Sequence, residues 1–264
     1  MTRVRILILG GTGEGFRLAE RLGAWPDTEV ISSMAGLTPA PKIPVGQVRR
    51  GGFGGVAGLV EFLKAEGICA VIDATHPFAS GISQNAALAC AEVAVPVIHI
   101  MRPSWVRQDG DLWTEVDTIV EAADAVPRNA GLTFLTTGKT QLSAFAHRDD
   151  VAFLARVVAP ISEGDMSRDV PSRLSYIYDR GPFDIEGETR LLQDRGVELI
   201  VTKNSGGDAA YAKLVAAREI GLPVIMVKRP NPPSGNCVNT VDGVLDWLKR
   251  RPEIGASLVG SGSA

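Results

Sequence analysis

"LILGGTGEG", Leu7 to Gly15, decides how the chain is read. The apolar run Val4–Leu9 breaks into four glycines, one threonine and one glutamate, and helical spacing resumes over Phe16–Leu22. A strand, a glycine turn and a helix in that order are the setting of a dinucleotide-binding fingerprint. Glycine lets the backbone take positive φ and approach a pyrophosphate closely. Amides at the helix start then face the anion. The match to G-x-G-x-x-G is incomplete, because the sixth place counted from Gly11 is Phe16. Gly10, Gly11, Thr12, Gly13, Glu14 and Gly15 are the candidate cofactor-binding residues. A plain tight turn between strand and helix is the alternative.

The next strand sharpens the cofactor choice. A NAD site usually carries an acidic residue about 20 positions past the glycines, accepting from the ribose hydroxyls. Here the run Glu29–Ser33 ends in Ser32 and Ser33, with no carboxylate in "ISSMAG". Hydroxyls tolerate a 2′-phosphate where a carboxylate would repel it. Arg49 and Arg50, before "GGFGG", supply countercharge. The pattern favours NADPH over NADH.

Short β-branched runs alternate with helical stretches along most of the chain. Cys69–Ala74 and Val95–Ile100 read as strands, with helices at Val56–Gly67 and near Ser83–Ala91. "RPSWVRQDGDLW" (Arg102–Trp113) has no clear period and reads as a crossing segment. Alternation restarts with strands at Leu132–Thr137, Ala152–Val158, Glu198–Lys203 and Pro223–Lys228. Gln141–Ala146, Gly187–Arg195, Ala209–Ile220 and Gly243–Arg251 look helical. Such alternation means parallel α/β layering with helices on both faces of a sheet. The expected domains are 1–105, a crossing segment at 106–130, a second α/β half at 131–251 and a tail at 252–264. Whether the last strand and helix rejoin the first half is open, with the proline-rich stretch from Pro230 to Gly235 as a hinge. Two halves make a cleft, and ligands sit at the carboxyl ends of parallel strands.

Further strand ends carry chemistry. "DATHPFA" (Asp73–Ala79) offers Asp73 and His76 for proton transfer or ligand orientation, with Thr75 beside them as a further cofactor-binding candidate. Pro77 cannot continue a ladder, so His76 sits at a strand mouth. A capped helix entry is the plainer reading. "TTGKTQL" (Thr136–Leu142) resembles a phosphate loop but has Thr133 where the first glycine belongs, which argues against a P-loop. Thr137, Gly138 and Lys139 can still hold an anion, or the lysine is only a surface side chain. In "TKNSGGDAA", Lys203, Asn204, Ser205, Gly206 and Gly207 place a cation and a glycine nest before a helix, an anion site by charge and dipole together.

Composition narrows the classes. The 264-residue chain is 45% hydrophobic with net charge −3, so no basic field favours nucleic acid. No apolar run approaches the roughly 20 residues of a membrane span, and the start lacks a signal-peptide layout. A cytoplasmic protein that binds neither nucleic acid nor membrane is expected. Cys69, Cys90 and Cys237, like His76, His99 and His147, are too scattered for a zinc site or disulfide framework. Buried free thiols and no metal are expected.

"GGTGEG", "DATHPFA", "TTGKTQL" and "TKNSGG", in this order and with "RPSW" between, resemble the precorrin-6A reductase family of the corrin pathway to cobalamin. The resemblance spans nearly the whole chain. It implies two Rossmann-like parallel-sheet domains with NADPH and a tetrapyrrole, precorrin-6A, in the cleft between them. It implies hydride transfer to a carbon–carbon double bond of the macrocycle, giving precorrin-6B. The family includes cobalt-precorrin-6A reductases of the anaerobic route, and these motifs do not separate the two. A substrate with many carboxylate arms asks for separated cations, which Arg102, Lys139 and Lys203 at three strand ends supply. His76, Asp73 and Lys203 are the candidate proton donors or orienters, with solvent as the alternative, and Thr12 is expected to lend a hydroxyl to the pyrophosphate. Transient contact with neighbouring pathway enzymes belongs to the same expectation.

Two rivals are weaker. A short-chain dehydrogenase needs Tyr-x-x-x-Lys, but Tyr176, Tyr178 and Tyr211 are followed four places on by Arg180, Pro182 and Val215. A non-catalytic dinucleotide sensor would not need the second anion site. If the glycine loop cradles NADPH, Gly11→Val lowers both NADPH affinity, measured by titration, and turnover; unchanged values would remove the assignment.

Overall fold

The computed structural model describes residues 3–35, 43–158, 169–252 and 254. In chain order the first elements are β1 (Val4–Leu9), α1 (Gly13–Gly23), β2 (Thr28–Met34), β3 (Gln47–Arg50), α2 (Gly55–Ala65), β4 (Ala70–Asp73), α3 (Ser80–Glu92) and β5 (Val97–Ile100). Then follow β6 (Trp113–Val116), α4 (Ile119–Ala125), β7 (Leu132–Leu135), a 3-10 helix (Lys139–Phe145), β8 (Phe153–Val157) and β9 (Leu174–Tyr178). The chain continues with α5 (Ile185–Asp194), β10 (Val197–Lys203), α6 (Ala212–Glu219), β11 (Val224–Val227), β12 (Asn236–Val238) and α7 (Val241–Lys249).

These elements form two compact units, one of Met1–Arg102 with Asn231–Ala264 and one of Pro103–Pro230. The first holds a six-stranded parallel sheet ordered β12-β5-β4-β1-β2-β3. Its central strand β1 shows why the layering arises. Ile6 and Ile8 face one way into a cluster with Leu18, Leu22, Val244 and Leu248 of α1 and α7. Leu7 and Leu9 face the other way, against Leu59, Leu63, Ala86 and Ala89 of α2 and α3. Period-2 alternation on a strand apolar on both faces requires helices on both faces. Side chains of Thr12, Thr118, Asp184 and Thr240 cap α1, α4, α5 and α7. Each satisfies a first-turn amide that would otherwise lack a partner.

The second unit holds another six-stranded parallel sheet, ordered β6-β11-β10-β7-β8-β9. Phe134, Leu154, Ile200 and Met226 pack there with Leu192 of α5 and Leu214 of α6. The stretch 106–130, expected as an irregular crossing, contains β6 and α4 within this unit. Pairing with β11 orders it, in register Val224↔Trp113 to Val227↔Val116. Beyond Val227 the chain returns to the first sheet, where β12 pairs with β5. The tail expected at 252–264 lies, beyond Ile254, outside the described residues.

Strand order reverses direction between β1 and β4 in one sheet and between β7 and β10 in the other. At such switch points the loops leave toward opposite faces and open a crevice at the strands' carboxyl ends. Those ends carry the glycine loop and Asp73 in the first unit, and Thr137–Lys139 and Lys203–Gly207 in the second. Of the thiols expected to be buried, Cys90 is buried, Cys69 partly so and Cys237 exposed. Cys237 lies on the short strand β12, where the sheet does not cover it. Among the described residues no helix is long and apolar enough to cross a membrane.

Candidate active site

The glycine loop turns sharply at the end of β1. Gly11 takes φ +114°, which a side chain would strain, and a Cβ on Gly11 or Gly13 would meet nothing within 4 Å. The backbone is therefore open to an incoming group at both positions. Gly15 is the reverse case: its Cβ would lie 3.3 Å from Gly10 Cα and 3.6 Å from Ala74 Cβ. A glycine there lets α1 pack directly on the sheet. The Thr12 hydroxyl donates to the Ala74 carbonyl at 2.6 Å and accepts from the Gly15 amide at 3.3 Å. Its one proton is committed to Ala74. Thr12 thus offers an anion its amide and not the hydroxyl expected from the sequence. The first-turn amides of α1 point outward at the positive end of the helix. Glu14 stands among them, and its carboxylate is matched by Arg17 and Arg102, each at 3.1 Å. Arg102 is thereby brought to the glycine loop, on a side chain about one-fifth exposed.

One strand over, Asp73 ends β4. Its Oδ1 accepts from the amide and hydroxyl of Thr75 at 3.1 and 2.7 Å, and its Oδ2 lies 2.9 Å from Nδ1 of His99. Burial opposes ionisation of this carboxyl, but hydrogen bonds from His99, Ser83 and Thr75 outweigh it and hold the group below its ordinary range. Asp73 is therefore an acceptor and an orienter. His99, buried on β5, is not among the site residues expected from the sequence because it sits inside the apolar run "VPVIHI". The available signal was an imidazole on a strand otherwise built for the core. Leu9, Asp73 and His99 form one row across β1, β4 and β5. Asp73, His76 and His99 line a cavity of about 360 Å³ with Ser83, Asn231 and Pro232. The His76 ring is set by the Phe78 amide, which donates to Nδ1 at 3.2 Å.

On the other side of β1, Ser32 and Ser33 are buried near the end of β2, and register pairs Ser33 with Arg49 and Met34 with Arg50 on β3. Arg49 donates to the carbonyls of Gly51 and Gly52 at 2.6 and 2.7 Å and lies 3.8 Å over the Phe53 ring. Its guanidinium is pinned 3.5 Å from the Ser33 hydroxyl. Arg50 is exposed beside it.

In the second unit, Thr137 is buried and Gly138, at φ +88°, caps the 3-10 helix that begins at Lys139. Adjacent to β7, β10 ends in Lys203, whose burial pushes its ammonium down to about 8. Three residues of the following loop have structural employment. Asn204 accepts from the Trp105 amide at 2.8 Å and donates to the Trp105 carbonyl at 2.9 Å. Gly207 O accepts from the Trp105 indole at 2.8 Å, and a Cβ on Gly206 would overlap the Pro103 carbonyl. This loop grips the "RPSW" segment. Asn204→Ala strips two buried backbone groups of their partners, at about 1–3 kcal/mol for each. Urea unfolding is expected to register this as a loss of stability; an unchanged midpoint would show the clamp to be dispensable.

The model of the family described as "Precorrin-6x reductase CbiJ/CobK" matches residues 5–249. The precorrin-6A reductase of Rhodococcus erythropolis is 41% identical over 92% of this chain and 97% of its own. That of Rhodobacter capsulatus is 44% identical over 92% of this chain and 95% of its own. A solved structure titled "CobK precorrin-6A reductase" superposes with a TM-score of 0.86 at 42% identity, covering 93% of this chain and 96% of that one. The chain belongs to the precorrin-6x reductase family, as the motifs at its strand ends and its paired parallel sheets imply.

Proposed function

We propose that the chain reduces a carbon–carbon double bond of precorrin-6A with NADPH, giving precorrin-6B. The observation that carries this reading is the switch point between β1 and β4. The open backbone of Gly11 and Gly13 follows β1 there, and a ligand-sized cavity lined by Asp73, His76 and His99 lies at the ends of β4 and β5 in the same sheet. The open backbone at Gly11 and Gly13 and the carboxylate-free end of β2 fit a phosphorylated dinucleotide. NADPH, when bound, supplies the hydride.

The chain's own residues position and balance charge. Amides from Gly11 to Glu14 receive the pyrophosphate, with Gly10 and Gly15 keeping the loop against the sheet. Ser32, Ser33, Arg49 and Arg50 form the 2′-phosphate side, where Arg49 is already fixed by Gly51, Gly52 and Phe53. Thr75 holds Asp73 in place. Arg102, Lys139 and Lys203, with Thr137, Gly138 and Ser205, serve the carboxylate arms of the tetrapyrrole. His76 and Lys203 are the groups we assign to proton delivery, since Asp73 is held as a carboxylate.

The direct test mixes protein with NADPH or NADH, adds precorrin-6A and follows loss of the reduced cofactor's absorbance. Tetrapyrrole-dependent oxidation is expected, about tenfold or more faster with NADPH, the worth of a charge-assisted contact to the 2′-phosphate. Oxidation only with the cobalt-bound substrate would move the assignment to that substrate, and oxidation with neither would remove the reductase reading.

Lys203 adds a pH signature. A lysine with its value near 8 is charged below that pH and neutral above it. The KM for precorrin-6A is therefore expected to rise between pH 7 and 9, and Lys203→Arg, always charged, flattens the rise. A KM that ignores pH in the unaltered protein would take Lys203 off the substrate.

A further inference from the structure

The Asp73–His99 pair contains one atom that the fold leaves unused. His99 is 1% exposed, and its Nε2 has no hydrogen-bond partner among the described residues. Buried polar atoms are nearly always paired, so each exception asks for a cause. The Nδ1 side is fully explained by Asp73 at 2.9 Å. An ionised carboxylate only accepts, so Nδ1 carries the proton, and in the neutral ring Nε2 is left as an acceptor. His99 lines the 360 Å³ cavity, where the segment Asn231–Ser234 forms part of the wall. Every residue of that wall belongs to the first unit.

The place of this acceptor in the sheet says what meets it. Leu9, Asp73 and His99 share one row, so His99 stands two strand spacings, about 10 Å, from the strand that feeds the glycine loop. The 2′-phosphate side proposed above lies across β1 in the opposite direction, on β2 and β3. A dinucleotide whose pyrophosphate rests on the loop, with its adenosine toward β2, has its other end directed toward β4 and β5. That end carries a carboxamide, whose NH2 is a planar N–H donor.

We propose that His99 Nε2 accepts a hydrogen bond from the nicotinamide carboxamide, with Asp73 acting through His99 as a positioning residue that sets its tautomer. The inference rests on the NADPH reading and adds to it a residue that selects the nicotinamide end. It assigns the cavity beside α3 to the cofactor's reactive ring.

Binding alone tests it, without turnover. Three probes are titrated against the full chain: NADP+, its 3-acetylpyridine analogue, in which a methyl replaces the carboxamide NH2, and 2′-phospho-ADP-ribose, which lacks the ring. The unaltered protein is expected to bind NADP+ about tenfold more tightly than the acetylpyridine analogue, the effect of leaving a buried acceptor unpaired. Asp73→Asn, close in shape, can donate to Nδ1 and so move the ring proton to Nε2. That variant, and His99→Phe, are expected to bind 2′-phospho-ADP-ribose as before while losing the preference for NADP+. Equal affinity of the unaltered protein for NADP+ and the analogue would overturn the role of His99 and leave the cofactor reading standing. Failure to bind any of the three would overturn both. The comparison of analogues on the unaltered chain decides the question even if a substituted chain does not fold.

Discussion

The close approach of α1 to the sheet at Gly15 governs the first unit. With no side chain at that position, the helix start can sit against Gly10 and Ala74, and the Thr12 hydroxyl fastens it to the end of β4. A Cβ at Gly15 would push helix and sheet apart by a few tenths of an ångström, enough to shift every amide of the first turn. The same contact makes β4 part of the cradle. Asp73 follows in register, and through Asp73 the orientation of His99 on β5. Carboxylate and imidazole thus sit on the strands β4 and β5 rather than on loops, and strands place groups more tightly.

Charge is handled locally. The chain as a whole is mildly acidic at −3, yet each switch point gathers cations close to a strand end. Glu14, which would repel an anion at the helix start, is offset by Arg17 and Arg102. Arg49 is restrained by carbonyls and an aromatic ring that leave its charge intact. Lys203 is held in a buried setting that weakens its grip on a proton. Cations embedded at strand ends of a mildly acidic chain suit a small polyanionic ligand.

The interior strands were legible in the sequence and the edges were not. β1, β2, β4, β5, β7, β8, β10 and β11 are mostly buried runs rich in Val, Ile and Leu, which announce themselves. The four strands that escaped notice, β3, β6, β9 and β12, are the four edges of the two sheets. "QVRR", "WTEV", "LSYIY" and "NCV" are short and partly exposed, as edges must be to resist further pairing. Site residues divide in a similar way. Motifs at strand ends stood out because glycine, lysine and histidine interrupt apolar runs. The employment of Asn204 and Gly206 in gripping Trp105 and Pro103 did not, because their partners lie about a hundred positions away. His99 was hidden by its own strand.

The second unit is an insertion between β5 and β12 of the first. A ribosome therefore releases Pro103–Pro230 whole, sheet and helices together, before the first unit has its edge strand β12 or its covering helix α7. Until then β5 presents a bare hydrogen-bonding edge, and Ile6, Ile8 and Leu18 lack their cover from Val244, Leu245 and Leu248. Nascent chains fold domain by domain as they emerge. Here the order of maturation inverts the order of synthesis: the inserted unit closes first, and the first unit, begun earlier, is completed only when β12 and α7 follow it.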